Sequence, residues 1–173
     1  VNVGRGVETI YPFGGKLFIG SQEGLYIYNI NSDGTPSYIS EYQHFTSCDP
    51  VATDGQFAYV TLHSDPGNIF CGRNINQLDI VNIEQLNQPF IVNSFPLIKP
   101  LGLGLYGDTL LICDNGVKVF DVSDPTKLKL LNAIEDIPAV DIIPNGDLMI
   151  ITSSEGIKQY RFKNGQLTLL SEI

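Results

Sequence analysis

One short pattern recurs four times along this chain of 173 residues: a turn glycine that leads into an apolar strand. The copies are Gly15-Lys16-Leu17-Phe18-Ile19, Gly55-Gln56-Phe57-Ala58-Tyr59, Gly107-Asp108-Thr109-Leu110-Leu111 and Gly146-Asp147-Leu148-Met149-Ile150. Successive glycines lie 40, 52 and 39 residues apart. A period near forty with room for four strands per unit is the pattern of β-propeller blades.

The remainder of each unit supports that reading. A second alternating strand follows the first: Leu25–Ile30, Gln77–Ile83, Val117–Val122 and Ile157–Phe162. Each is rich in β-branched and aromatic residues with a period of two, which suits a pleated, half-buried strand. Polar turns follow, Ser32-Asp33-Gly34-Thr35-Pro36 in the first unit and Ser123-Asp124-Pro125 in the third, and then a last strand such as Lys129–Ile134 or Leu167–Ile173. No stretch carries a helical period. The expected fold is all-β: a propeller of four blades with about four antiparallel strands each, at approximately 1–50, 51–100, 101–138 and 139–173. Leu17, Ile19, Ile27, Tyr59, Leu78, Ile80, Leu111, Val119, Ile150 and Tyr160 are the expected core.

The run Gly116-Val117-Lys118-Val119-Phe120-Asp121-Val122-Ser123-Asp124-Pro125 resembles the repeat of the LVIVD family, β-propeller proteins of bacterial cell surfaces. Gly24-Leu25-Tyr26-Ile27-Tyr28-Asn29-Ile30 resembles it too, with Asn29 where aspartate is usual. The second and fourth units depart further, with Asn76 for the glycine in one and Arg161 for the aspartate in the other. The resemblance implies a fold and an extracellular or bacterial cell-surface setting, for which lipid anchoring through a segment absent here is one route. It implies no catalytic motif, because the family is defined by a structural repeat. Relatives of this kind continue upstream with further repeats, so additional blades or self-association are expected.

Charge bounds the partners. Nineteen acidic residues against ten basic ones leave a formal net charge of −9. Nucleic acid is thereby disfavoured, since phosphate binding needs clustered Lys and Arg. No apolar run reaches the roughly 20 residues of a membrane helix. The chain opens at Val1 and reads as a processed or excised piece.

Cys113 sits in the apolar run Leu110–Cys113 and reads as a small buried hydrophobe. Cys48 and Cys71 lie in polar loops. The second repeat is 12 residues longer than the first, and the surplus falls at His63–Asn76, around Cys71. The resembled family often carries cysteines at both places, which implies a Cys48–Cys71 disulfide and an oxidising compartment. Two free surface thiols are the alternative.

Catalytic and metal motifs are sparse. The two histidines, His44 and His63, belong to no metal-binding or hydrolase signature. Asn29–Gly34 matches the first six positions of a calcium loop, but Ser40 stands where a bidentate glutamate is required. A plain Asx-type turn is the reading, with calcium as the alternative, and no cofactor or metal site is expected. Glu8, Asp49 and Asp141 fall near the first strand of three units, where carboxylates could line a channel mouth, whereas Leu101-Gly102-Leu103-Gly104 stands there in the third. The expected function is a non-enzymatic binding or scaffold module for a protein or glycan. Its contacts would lie on the Cys48 loop and the 63–76 insert, through His63, Phe70, Arg73 and Asn74. Rival classes are a polysaccharide hydrolase or lyase working at the channel mouth, and a purely structural segment of a larger surface protein.

Overall fold

The computed structural model of the chain describes residues 6–44, 50–64 and 75–173. Among them lie sixteen β-strands and no helix. The first sheet comprises β1 (Val7–Phe13), β2 (Lys16–Ser21), β3 (Gly24–Ile30) and β4 (Pro36–Gln43). The second comprises β5 (Val51–Thr53), β6 (Phe57–Leu62), β7 (Gln77–Asn82) and β8 (Phe90–Pro96). The third comprises β9 (Pro100–Tyr106), β10 (Thr109–Asp114), β11 (Val117–Asp121) and β12 (Lys129–Ile134). The fourth comprises β13 (Ala139–Asn145), β14 (Leu148–Ser153), β15 (Gly156–Lys163) and β16 (Gln166–Glu172). Every sheet is an antiparallel meander in sequence order. The fold is a β-propeller of four blades.

The recurring glycine is required by backbone geometry. Gly107 and Gly146 have φ of 55° and 61°, in the left-handed region that other residues enter only at a cost, and each begins the tight turn between the first two strands of its sheet. The same turn is tied to the third strand: Val122 N–H donates to the Asp108 carbonyl (2.9 Å) and Phe162 N–H to the Asp147 carbonyl (2.7 Å). Matching bonds join Ile30 to Gly15 and Ile83 to Gln56.

A second regularity appears in the fourth strand of every sheet. Pairing between third and fourth strands slips at Ile27/Tyr28, Ile80/Val81, Val119/Phe120 and Gln159/Tyr160, which leaves Ile39, Val92, Leu131 and Leu170 as the extra residues. These are β-bulges, which bend the strand and increase its twist. Each falls in an apolar doublet that breaks the period-two alternation: Tyr38-Ile39, Ile91-Val92, Leu130-Leu131 and Leu169-Leu170.

The described chain forms two compact units, the first ending at Leu97 and the second running Ile98–Ile173. In the first, Phe18, Leu25, Ile27, Val60, Leu62 and Val81 pack into one buried cluster. In the second, Leu111, Val119, Ile142, Met149, Ile151 and Tyr160 do so. Eight of the expected core residues are buried, while Leu17 and Ile150 are only half-buried. Ile150 lies on the opposite side of β14 from the buried Met149 and Ile151, as strand alternation requires.

The Leu101–Gly104 run receives a packing explanation. Within the second unit β9 lies against β13 so closely that a side chain does not fit. A Cβ on Gly104 would sit 2.5 Å from Pro144 Cδ and 2.8 Å from the Ile142 carbonyl oxygen. One on Gly102 would sit 2.7 Å from Asp141 Cα. Because the obstructing atoms include backbone, the neighbour cannot swing aside. Gly104→Val is therefore expected to destabilise the protein by about 1–3 kcal/mol through overpacking. Chemical denaturation checks this, with the exposed Lys163→Ala expected to change stability by less than about 0.5 kcal/mol.

Candidate functional site

The first unit holds a cleft of about 410 Å³ between β4 and the second sheet. Its lining residues include Tyr42, Leu62, Ile75, Gln77, Asp79 and Ile91. Strand alternation explains how a carboxylate comes to lie here. On β7, Leu78 and Ile80 are fully buried on one face, so Asp79 between them must point to the other, toward the cleft. It is nonetheless only 2% exposed.

A buried carboxylate is costly unless hydrogen-bonded or paired. Asp79 Oδ1 accepts from Gln77 Nε2 and from Ser94 Oγ, each at 2.7 Å. Oδ2 accepts from the Tyr42 hydroxyl at 3.4 Å. Ser94 stands directly across from Asp79 in the β7–β8 ladder, so the strand register supplies that donor. Tyr42 comes from the last strand of the preceding sheet. Burial, and then the Asp79 charge and hydrogen bond, push its phenol up to about 12.

The second unit holds a larger cleft of about 710 Å³, whose lining includes Ile98, Asp114, Lys118, Glu135, Asp136 and Glu155. Asp114 is fully buried at the end of β10. It accepts from Ile98 N–H (3.1 and 3.2 Å), from Lys99 N–H (2.5 Å) and from the Lys118 ammonium, with which it forms an ion pair. This carboxylate is a structural anchor: it ties the segment entering β9 to the edge of β10.

The sequence-expected residues fall in several places. Cys48, Asp49, Phe70, Cys71, Arg73 and Asn74 lie outside the described residues. Glu8 is exposed near the start of β1. Asp141 is on β13, where burial raises its carboxyl and the Ile142 N–H bond (2.9 Å) opposes that shift. His63 is half-buried one residue beyond Leu62 and is not among the residues lining the smaller cleft. β6 ends at Leu62 and β7 begins at Gln77, so the long connection spans 63–76, and Ser64 N–H closes its base on Asn76 Oδ1 at 3.0 Å. In the Asn29–Gly34 turn, Asp33 Oδ1 accepts from Thr35 N–H (2.9 Å) and from the Thr35 hydroxyl (2.6 Å), which lowers its carboxyl. Asn31 Oδ1 likewise accepts from Asn29 and Ser37. Among the described residues no group of three or more His, Cys, Asp or Glu side chains is arranged to hold a metal ion. No helix of the described residues is long and apolar enough to cross a membrane.

Tyr42, Asp79, Ser94 and Asp114 were not among the expected site residues. For Asp79 a signal was present: one carboxylate inside the apolar run Leu78-Asp79-Ile80-Val81.

No family model matches the chain. No curated protein matches it either. Solved structures do. The N-terminal domain of Nup159 aligns with a TM-score of 0.60 at 15% identity, covering 98% of this chain and 44% of that one. AztD from Citrobacter koseri aligns at 0.65 and 11%, covering 94% and 46%. A chain of a nidogen/laminin complex aligns at 0.65 and 13%, covering 94% and 62%. The chain thus spans between 44% and 62% of the length of these proteins. At such identities the likeness establishes the fold alone.

Two measurements follow from the buried groups. The raised Tyr42 pKa means its protonated form is favoured on folding, so its contribution is complete below the ordinary phenol value near 10 and is lost as pH rises through about 12. Denaturant midpoints should show wild type losing stability relative to Tyr42→Phe across that window. Cys113 is a free, fully buried thiol whose ionisation is pushed up by burial and then by Asp141. Its alkylation in the native protein should be slowed at least about a hundredfold relative to the unfolded chain, as read by mass spectrometry.

Proposed function

We propose that this chain is a non-catalytic β-propeller module that binds a protein ligand on the rim carrying the 63–76 connection, and that it works in an extracellular, cell-surface setting. The observation that carries this reading is the cleft in the first unit. It combines apolar walls (Leu62, Ile75, Ile91) with a few polar side chains (Tyr42, His44, Gln77) around the buried Asp79, the composition of recognition sites. The cleft lies beside the 63–76 connection, the one large departure from the repeat, and loops on a rigid sheet scaffold commonly carry binding.

Further support comes from the resemblance to the LVIVD repeat, which places similar chains on bacterial surfaces. A Cys48–Cys71 disulfide belongs to the same reading. Proteins of similar fold are seen with protein partners: Nup159 with Dbp5 from S. cerevisiae, and nidogen with laminin. The donors around Asp79 are engaged in holding it, which suits a fixed recognition centre better than an acid–base pair.

The test is a binding screen of the chain against arrays of purified extracellular proteins and of glycans. The expected result is a protein ligand whose affinity falls at least about tenfold with Ile91→Lys at the cleft wall, and is unaffected by Lys163→Ala in the second unit. Binding to glycans alone, or turnover of a polysaccharide, would overturn the reading.

A further inference from the structure

Comparison of equivalent positions in the second and third sheets shows an inversion of charge. In the third sheet Lys118 pairs with Ile112 in the β10–β11 ladder; in the second, Asp79 pairs with Val60 in the β6–β7 ladder. Ile112 and Val60 occupy the same place after their turn glycines, Gly107 and Gly55, so Asp79 stands where Lys118 stands. The inversion extends to the partner. Asp114, the counterion of Lys118, lies seven residues after Gly107, and the residue seven after Gly55 is Leu62. The equivalent residue of the fourth sheet, Lys158, is also a lysine with a carboxylate partner, Glu155 at 2.8 Å. The second sheet alone has the acid in the lysine's place and an aliphatic side chain in the acid's place.

Among the described residues Asp79 thus lacks the counterion that this position has in the third and fourth sheets; in the first sheet the position holds the uncharged Tyr26. Among the described residues it makes no ion pair, and its donors are the neutral Tyr42, Gln77 and Ser94. The two oxygens are unequally occupied. Oδ1 has two donors at 2.7 Å, while Oδ2 has only the 3.4 Å contact from Tyr42, beyond ordinary O–H···O length. A carboxylate oxygen accepts two donors, so Oδ2 retains accepting capacity.

We propose that the Asp79 cleft receives a lysine side chain of the protein ligand, its ammonium donating to Asp79 Oδ2 and its alkyl stem lying along Leu62, Ile75 and Ile91. The assignment rests on the reading of the chain as a protein-binding module and specifies the chemistry of its anchor. An ammonium is a compact point donor, whereas the guanidinium fork of arginine gains its advantage by bonding both carboxylate oxygens, one of which is already saturated. A four-carbon stem matches apolar walls above a charged floor. The net charge of −9 favours the approach of a basic partner. The Asp114 cleft does not offer the same site, since Lys118 already neutralises that carboxylate.

The probe is Nα-acetyl-lysinamide, titrated into the whole chain and followed by methyl NMR, with Nα-acetyl-argininamide and Nα-acetyl-norleucinamide as comparisons. Lysinamide should shift the methyls of Leu62, Ile75 and Ile91, with the neutral norleucine analogue at least about tenfold weaker and argininamide weaker than lysinamide. Asp79→Asn should reduce lysinamide affinity at least about tenfold. Tyr42→Phe, which removes the competing donor on Oδ2, should preserve or strengthen binding and covers the case in which Asp79→Asn fails to fold. Equal binding to wild type and a folded Asp79→Asn variant, equal binding of norleucinamide, or loss of binding in a folded Tyr42→Phe variant would overturn the assignment. A protein ligand from the array whose affinity ignores Asp79→Asn overturns the lysine assignment alone. Asp79-dependent lysinamide binding with no protein ligand in the array overturns the protein-ligand reading alone.

Discussion

The register set by the turn between the first two strands of each sheet is the constraint on which the rest of this structure depends. In a strand, side chains alternate between faces, so a slip of one residue exchanges the buried set for the exposed set. Gly107 places Leu111 opposite Gly104, and through β11 places Val119 opposite Leu111. Those contacts close the buried cluster of the second unit. The turn carbonyls then accept from the end of the third strand, which extends the same register across the sheet. The bulge in the fourth strand ends strict alternation only after the core-facing positions have been placed.

The two buried carboxylates show how one scaffold handles charge in different ways. Asp114 receives a cation and two backbone N–H groups, and it fastens the segment entering β9. Among the described residues Asp79 is kept by neutral donors alone, from its own strand, from the facing strand and from the neighbouring sheet. Removing water from an ion without a counterion is expensive, and such groups persist where hydrogen bonds offset that cost. A repeat fold makes the contrast readable, because each position has counterparts against which a departure can be judged.

Binding of the kind proposed at this cleft would draw on two properties of the fold. The sheets supply rigid placement of Tyr42, Asp79 and Leu62, while the long β6–β7 connection begins directly beyond Leu62. Specific recognition by a protein with a formal net charge of −9 would combine long-range attraction of a basic ligand with one desolvated contact at Asp79. The first of these is weakened by salt, whereas the second is largely shielded from it.

The all-β class, the four repeats, the strand content of each and most of the core were legible in the sequence, because each rests on local rules. Positive φ demands glycine at Gly107, and strand alternation is legible in Val117-Lys118-Val119, where the two valines are buried and the lysine between them is not. The bulges were written there as well, in doublets such as Leu130-Leu131, but an apolar pair identifies a bulge only once its partner strand is known. Other features belong to the tertiary structure alone. Gly102 and Gly104 are glycines because β13 lies against them, a strand some forty residues away. Asp79 and Tyr42 are 37 residues apart, and neither marks a site until two sheets bring them together. The chain by itself determined which segments become strands and which faces they bury, since neighbours along the backbone decide both. Which polar groups share a cleft was decided by packing between sheets, where long-range contact and loss of water act on residues that the sequence keeps apart.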